Sequence, residues 1–137
     1  MPPPFAIDAL DHVVIRARDI VAMLRFYTEV LGCTLAKENA PLGLYHLRAG
    51  LSMIDLVDID GELGRAGGAA PDPAGEGRNV DHVAIRITPF DAAAIGAHLA
   101  ARGIAAEDPV TRFGARGDGP SIYLTNPDGN SVELKGA

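Results

Sequence analysis

The chain contains a single cysteine, Cys33, so it cannot form an internal disulfide, and a disulfide-stapled secreted domain is excluded. Positive charge is also scarce: 12 Lys and Arg stand against 18 Asp and Glu, a formal net charge of −6. Such a chain is repelled by phosphate backbones and anionic lipid, which argues against nucleic acid and membrane as partners. No apolar run approaches the roughly 20 residues that a spanning helix requires. Met1-Pro2-Pro3-Pro4 lacks the basic start and apolar stretch of a secretory signal. A soluble, cytoplasmic protein is therefore expected.

With 137 residues, the chain has the size of one domain, 1–137. A domain of this length buries about two-thirds of its unfolded surface, so it needs no structural metal in order to fold. Hydrophobic residues at 47% and charged residues at 22% are the balance of a globular protein.

An internal repeat organises this domain. Asp11-His12-Val13-Val14-Ile15-Arg16 returns 70 residues later as Asp81-His82-Val83-Ala84-Ile85-Arg86, with five of six positions identical. Each copy leads into a helical stretch, a glycine (Gly32 or Gly103) and strand-like sequence. In the first half, alternation predicts a strand over 10–17. Asp19 reads as an N-cap, and Ile20, Met23, Leu24, Tyr27 and Leu31 form a helical stripe ending at Gly32. Strand-like runs follow at 33–38, 42–49 and 51–58. In the second half the pattern predicts a strand over 80–87 and a helix capped by Thr88-Pro89 with Ile95 and Leu99 buried. A strand over 104–111 and a hairpin of Ser121–Thr125 with Ser131–Lys135 around Asn126-Pro127-Asp128-Gly129-Asn130 complete it. Both halves read βαβββ, giving modules at about 8–59 and 80–136. The Gly/Ala/Pro-rich stretch 60–79 reads as a linker. Residues 112–119 read as either a hairpin loop or a lid.

Alternation also locates the candidate chemistry. Val13 and Ile15, like Val83 and Ile85, suit packing under a helix, which leaves His12 and His82 on the opposite face. In the last strand of each half a carboxylate sits between apolar residues, Ile54-Asp55-Leu56 and Val132-Glu133-Leu134. Two imidazoles and two carboxylates are thus expected on one side of a curved sheet, and two histidines plus a carboxylate suit a borderline divalent ion such as Zn, Ni, Mn, Co or Fe, with no thiolate needed. An ion would also offset the cost of burying Asp55 and Glu133. His46 and His98 have no counterpart in the other half and are expected to be structural. Cys33 is expected in or near the core. Tyr45, Tyr123 and Phe113 are candidates for lining a pocket. Arg16, Arg48, Arg86, Arg112 and Arg116 are candidates for anchoring an anionic substrate.

Together, Asp11-His12-Val13, Phe26-Tyr27 with Val30-Leu31-Gly32, Asp81-His82-Val83 and Asn126-Pro127-Asp128-Gly129-Asn130 with Val132-Glu133-Leu134 resemble the vicinal oxygen chelate superfamily. Its members include glyoxalase I, fosfomycin-resistance proteins, extradiol dioxygenases and bleomycin-resistance binding proteins. The resemblance covers about 8–136. It implies an α+β fold in which two βαβββ modules form a cupped, barrel-like mixed sheet with helices outside, in a homodimer. It also implies His12, His82 and Glu133 as metal ligands, with Asp55 where glyoxalase I has a glutamate that serves as fourth ligand. Asp55 and Glu133 are the implied catalytic acid–base groups. The shorter Asp55 departs from the glyoxalase pattern, whereas the fosfomycin-resistance pattern needs only the triad. The implied function is a divalent-metal-dependent lyase or isomerase acting on a small oxygenated substrate. The alternatives are a fosfomycin-type transferase or epoxide hydrolase, an extradiol dioxygenase, or a metal-free drug- or metabolite-binding protein. The linker permits half-sites to meet within one chain or across a dimer.

Overall fold

In the computed structural model, residues 6–70 and 80–137 are described. The first half runs β1 (His12–Ala17), α1 (Ile20–Arg25), β2 (Thr34–Asn39), β3 (Leu44–Ala49) and β4 (Ser52–Asp58). A short helix, α2 (Glu62–Ala66), follows, and then β5 (His82–Arg86), α3 (Ala92–Ala100), β6 (Val110–Gly114), β7 (Gly117–Thr125) and β8 (Ser131–Lys135). Each half therefore builds βαβββ. The strands form two four-stranded sheets of equivalent order, β1-β4-β3-β2 and β5-β8-β7-β6. In each, the first strand pairs parallel with the last, and the remaining pairs are antiparallel. No strand pairing joins the sheets among the described residues, so the expected barrel-like sheet is instead two separate cupped sheets. No helix of the described residues is long and apolar enough to cross a membrane.

The sheets share one core. Met23, Phe26, Tyr27, Leu47, Ile54 and Leu56 from the first half are clustered with Leu99, Leu124, Val132 and Leu134 from the second, while Val13, Ile15 and Ile85 pack against them. The alternation read from the sequence thus holds in both first strands and both last strands. The turn after β7 fastens the halves together. Asn126 and Asp128 are buried, Asn126 Nδ2 donates to the Tyr27 hydroxyl at 3.2 Å, and the Arg18 N–H donates to Asp128 Oδ2 at 2.9 Å. Asn126 Oδ1 also accepts from the N–H groups of Asp128 and Asn130, each at 3.0 Å, which fixes the turn itself.

Local departures from the sequence reading have identifiable causes. Asp19 caps α1 as expected, accepting from the Ala22 N–H at 3.0 Å. The helix then widens into a π turn over Phe26–Val30, so that the consecutive residues Phe26 and Tyr27 both point inward, edge to face at 5.0 Å. The cap of α3 is Asp91 rather than Thr88: its carboxylate accepts from the Ala94 N–H at 3.1 Å, so the helix starts three residues beyond Pro89.

The strand expected over 104–111 begins only at Val110, and 112–119 is a tight hairpin of β6 with β7 rather than a lid. Gly114 and Gly119, which read as loop residues, are strand positions emptied for a neighbour. A Cβ at Gly114 would lie 2.7 Å from Lys135 Cε, and one at Gly119 would lie 2.9 Å from Lys135 Nζ. The expected linker 60–79 contains α2, docked on β1 by Arg16, whose guanidinium donates to the carbonyls of Gly64 at 3.0 Å and Gly68 at 2.6 Å. Residues 71–79 of that stretch, with Pro71-Asp72-Pro73, lie outside the described residues, as does Met1-Pro2-Pro3-Pro4.

Candidate functional site

The open face of each sheet carries one histidine–carboxylate set. On the first, the parallel pairing of β1 with β4 places Val14 beside Asp55, and His12 enters from one step earlier on the same face of β1. The antiparallel pairing of β3 with β4 sets His46 directly across from Asp55. Although it faces away from the helices, Asp55 is only 4% exposed. Its Oδ2 lies 3.0 Å from His46 Nδ1, and its Oδ1 is buried without a hydrogen-bond partner. Such an orphaned carboxylate oxygen is costly and uncommon, and its chemistry fits a cation.

On the second sheet, the pairing of β7 with β8 sets Tyr123 across from Glu133, while β5 runs alongside β8 with Ala84 beside it. Glu133 is also 4% exposed. Its oxygens accept from Ser121 Oγ at 2.9 Å and from the Tyr123 hydroxyl at 2.5 Å, and His82 Nε2 lies 3.3 Å from Oε1. Burial pushes the Glu133 carboxyl upward. The hydrogen bonds from Tyr123 and Ser121, with the charges of His82 and Lys135, outweigh it and hold the group below its ordinary value. Tyr123 is raised by donating to that carboxylate. The Tyr123 ring packs edge-on to His82 at 5.7 Å, and Arg112 lies over it at 5.7 Å.

Both repeated histidines are held by the aspartate that precedes them. His12 Nδ1 lies 2.7 Å from Asp11 Oδ2, and His82 Nδ1 lies 2.7 Å from Asp81 Oδ2. An ionised carboxylate only accepts, so each Nδ1 carries the proton and each Nε2 of a neutral ring keeps its lone pair. The hydrogen bond to Asp11 raises His12 above its ordinary value, against a smaller lowering by desolvation and with help from the Asp55 and Asp11 charges. With Nδ1 protonated, a neutral His82 ring turns one acceptor, Nε2, toward another, Glu133 Oε1. A proton or a cation between them makes that approach favourable.

Within one chain the two sets do not merge. Among the described residues no three His, Cys, Asp or Glu side chains are grouped so as to hold a metal ion. His82 and Glu133 are brought together, and Asp55 lies within electrostatic range of His12, but the two sets lie on separate sheets. His46 had been expected to be structural, yet it belongs to the first set. A turn at Gly50-Leu51 puts residue 46 across from residue 55, and that register is the signal that would have found it. His98 does play a structural part, with Nε2 donating to the Val30 carbonyl at 2.8 Å and so tying α3 to the end of the π turn. Cys33 is buried, and burial pushes its thiol upward.

Two βαβββ units, each with a histidine on its first strand and a carboxylate on its last, define a class of protein by their duplication. The family model described as the Glyoxalase/Bleomycin resistance protein/Dioxygenase superfamily matches residues 9–134, and the chain belongs to that family. It is 33% identical over 131 residues to "Virulence protein STM3117" of Salmonella typhimurium, covering 93% of this chain and 83% of that one. The crystal structure of that relative superposes with a TM-score of 0.73 at 29% identity, covering 96% of this chain and 98% of the other. Integron cassette protein VCH_CASS1 of V. cholerae is similar at 28% identity and a TM-score of 0.71, covering 96% and 97% of the two chains. A lactoylglutathione lyase from Agrobacterium tumefaciens shares the fold, with a TM-score of 0.66 at 22% identity, covering 100% and 96%.

Proposed function

We propose that the protein is a divalent-metal-dependent enzyme of the glyoxalase-like class, a lyase or isomerase acting on a small oxygenated substrate. Its ion is held between two copies of the chain, by His12 and Asp55 of one and His82 and Glu133 of the other. The observation that carries this reading is the buried Oδ1 of Asp55, an anionic oxygen with no hydrogen-bond donor to satisfy it among the described residues. The matched geometry at both histidines supports it, since Asp11 and Asp81 each engage Nδ1 and leave Nε2 as the nitrogen that can bind an ion.

When bound, the ion would act as a Lewis acid that polarises a substrate oxygen. The chain's own groups then have distinct work. Tyr123 and Ser121 hold Glu133 ionised and fixed in orientation, which suits a ligand or an acceptor of a substrate proton. Asp55, held at one oxygen by His46, has its other oxygen buried and without a partner among the described residues, so a cation reaching it would satisfy the charge. A fosfomycin-type or dioxygenase reaction would use the same donor set.

A second reading, a metal-free binding protein of the bleomycin-resistance kind, is favoured by the absence of a complete ligand group within the described residues of one chain. Calorimetric titration of chelator-treated protein with Zn²⁺, Ni²⁺, Mn²⁺, Co²⁺ and Fe²⁺ separates the two. The metal reading predicts saturable binding of one ion per chain that Glu133→Gln abolishes or strongly weakens. No binding and unchanged thermal stability with every ion would leave the metal-free reading.

A further inference from the structure

The structure sorts the candidate anchoring arginines by what already occupies them. Arg16 is spent on the carbonyls of Gly64, Gly68 and Ala69, and Arg112 on the Tyr123 hydroxyl and the Thr111 carbonyl. Arg86 and Arg116 have neither a hydrogen bond nor an ion pair to any described residue, and both line one groove of about 200 Å³ with His82, Glu133 and Lys135. Three cationic side chains therefore line this groove with one acidic side chain, Glu133, beside the last residue, Ala137, in a chain whose net charge is −6.

The pairing within the sheet sharpens this imbalance. The register of β5 with β8 puts Arg86 directly beside Lys135, a like-charge neighbour pair that is destabilising unless something neutralises it. Lys135 is only 8% exposed and lies over Gly114 and Gly119, whose missing side chains make room for it. Its ammonium donates to two neutral carbonyls, of Gly117 at 3.3 Å and Gly136 at 3.1 Å, which leaves one of its three N–H bonds unassigned. A buried ammonium held by carbonyls alone, with two uncommitted guanidinium groups on the same groove, is matched by an incoming anion.

We propose that this groove is an oxyanion subsite in which Arg86 and Arg116, backed by Lys135, hold a carboxylate or phosphate group of the substrate next to His82 and Glu133. The substrate class this implies is an organic acid or a phosphate ester. This names the substrate class of the site proposed above and takes the substrate's role from that reading, but the binding of the anion requires only residues of one module.

The test is calorimetric titration of chelator-treated, metal-free protein with two probes, glycolate and inorganic phosphate, in chloride buffer. Arg86 and Arg116 are exposed, so their removal leaves the core intact. Arg86→Ala and Arg116→Ala should each weaken the preferred probe by about 10-fold or more, while Arg25→Ala, exposed on α1, leaves it unchanged. Preference for glycolate identifies an organic acid as substrate, and preference for phosphate identifies a phosphate ester. Failure of both probes to bind, or binding indifferent to Arg86→Ala and Arg116→Ala, overturns the subsite. Arginine-dependent anion binding without binding of any divalent ion would uphold the subsite and sink the metal reading, and the reverse pattern would do the opposite.

Discussion

Asp55 and His46 face each other across the β3–β4 hairpin, with Oδ2 3.0 Å from Nδ1, and this contact leaves Asp55 with one satisfied and one orphaned oxygen in a buried position. The corresponding carboxylate of the other module, Glu133, is contacted at both oxygens by Ser121 and Tyr123. Two strands equivalent by duplication thus carry carboxylates in unlike states, one prepared and one incomplete.

The hydrogen bond from Tyr123 makes stability depend on pH. Because the folded Glu133 carboxyl lies below its ordinary value, its stabilising contribution is present above that value and lost as pH falls through the folded one. Tyr123→Phe raises Glu133 and shrinks this contribution. The urea midpoint of the variant should lie closest to that of the wild type at acidic pH and diverge toward neutral pH.

Asp11 and Asp81 act on the histidines rather than on the core, since both are almost fully exposed in their side chains, at 93% and 96%. Asp81→Asn should reduce divalent-ion affinity by about 10- to 100-fold, the usual effect of losing a carboxylate behind a ligand histidine. The urea midpoint of the metal-free protein should change little, which separates positioning of the ring from a role in folding.

Asn126→Ala removes two bonds that shape the β7–β8 turn and one that ties it to Tyr27. A loss of about 2 kcal/mol is expected, within the range for unsatisfied buried partners, and is measurable as a shift of the urea midpoint. Because the turn bridges the halves, the unfolding transition should remain single.

Cys33 is buried and its thiol is raised by burial, so the reactive thiolate is scarce in the folded protein. A thiol reagent at pH 8 should label the native protein far more slowly than the urea-unfolded chain. The raised value also means that this group's contribution to stability is present below the unfolded value and is lost as pH rises toward the folded one.

The duplication was legible because Asp11-His12-Val13 and Asp81-His82-Val83 repeat almost verbatim, and alternation around them assigned the buried and open faces of β1, β4, β5 and β8. The π turn at Phe26 was not, because an apolar stripe reads the same whether the last turn is α or π. The β6–β7 hairpin was half legible, since its glycines left a hairpin loop and a lid equally open until Lys135 is seen lying over them. His46 was missed because its importance comes from register across a turn, not from repetition. The separation of the half-sites was beyond a single sequence, since it depends on how two sheets sit around a shared core.

Mixing two inactive variants tests the shared site most directly. His12→Ala spoils one half-site and Glu133→Gln the other, so a mixed dimer keeps one intact site, built from the unaltered module of each chain. After dissociation and reassembly, random pairing should return about a quarter of wild-type ion binding, where neither variant alone binds. No recovery from verified mixed dimers would contradict an ion site shared between two copies.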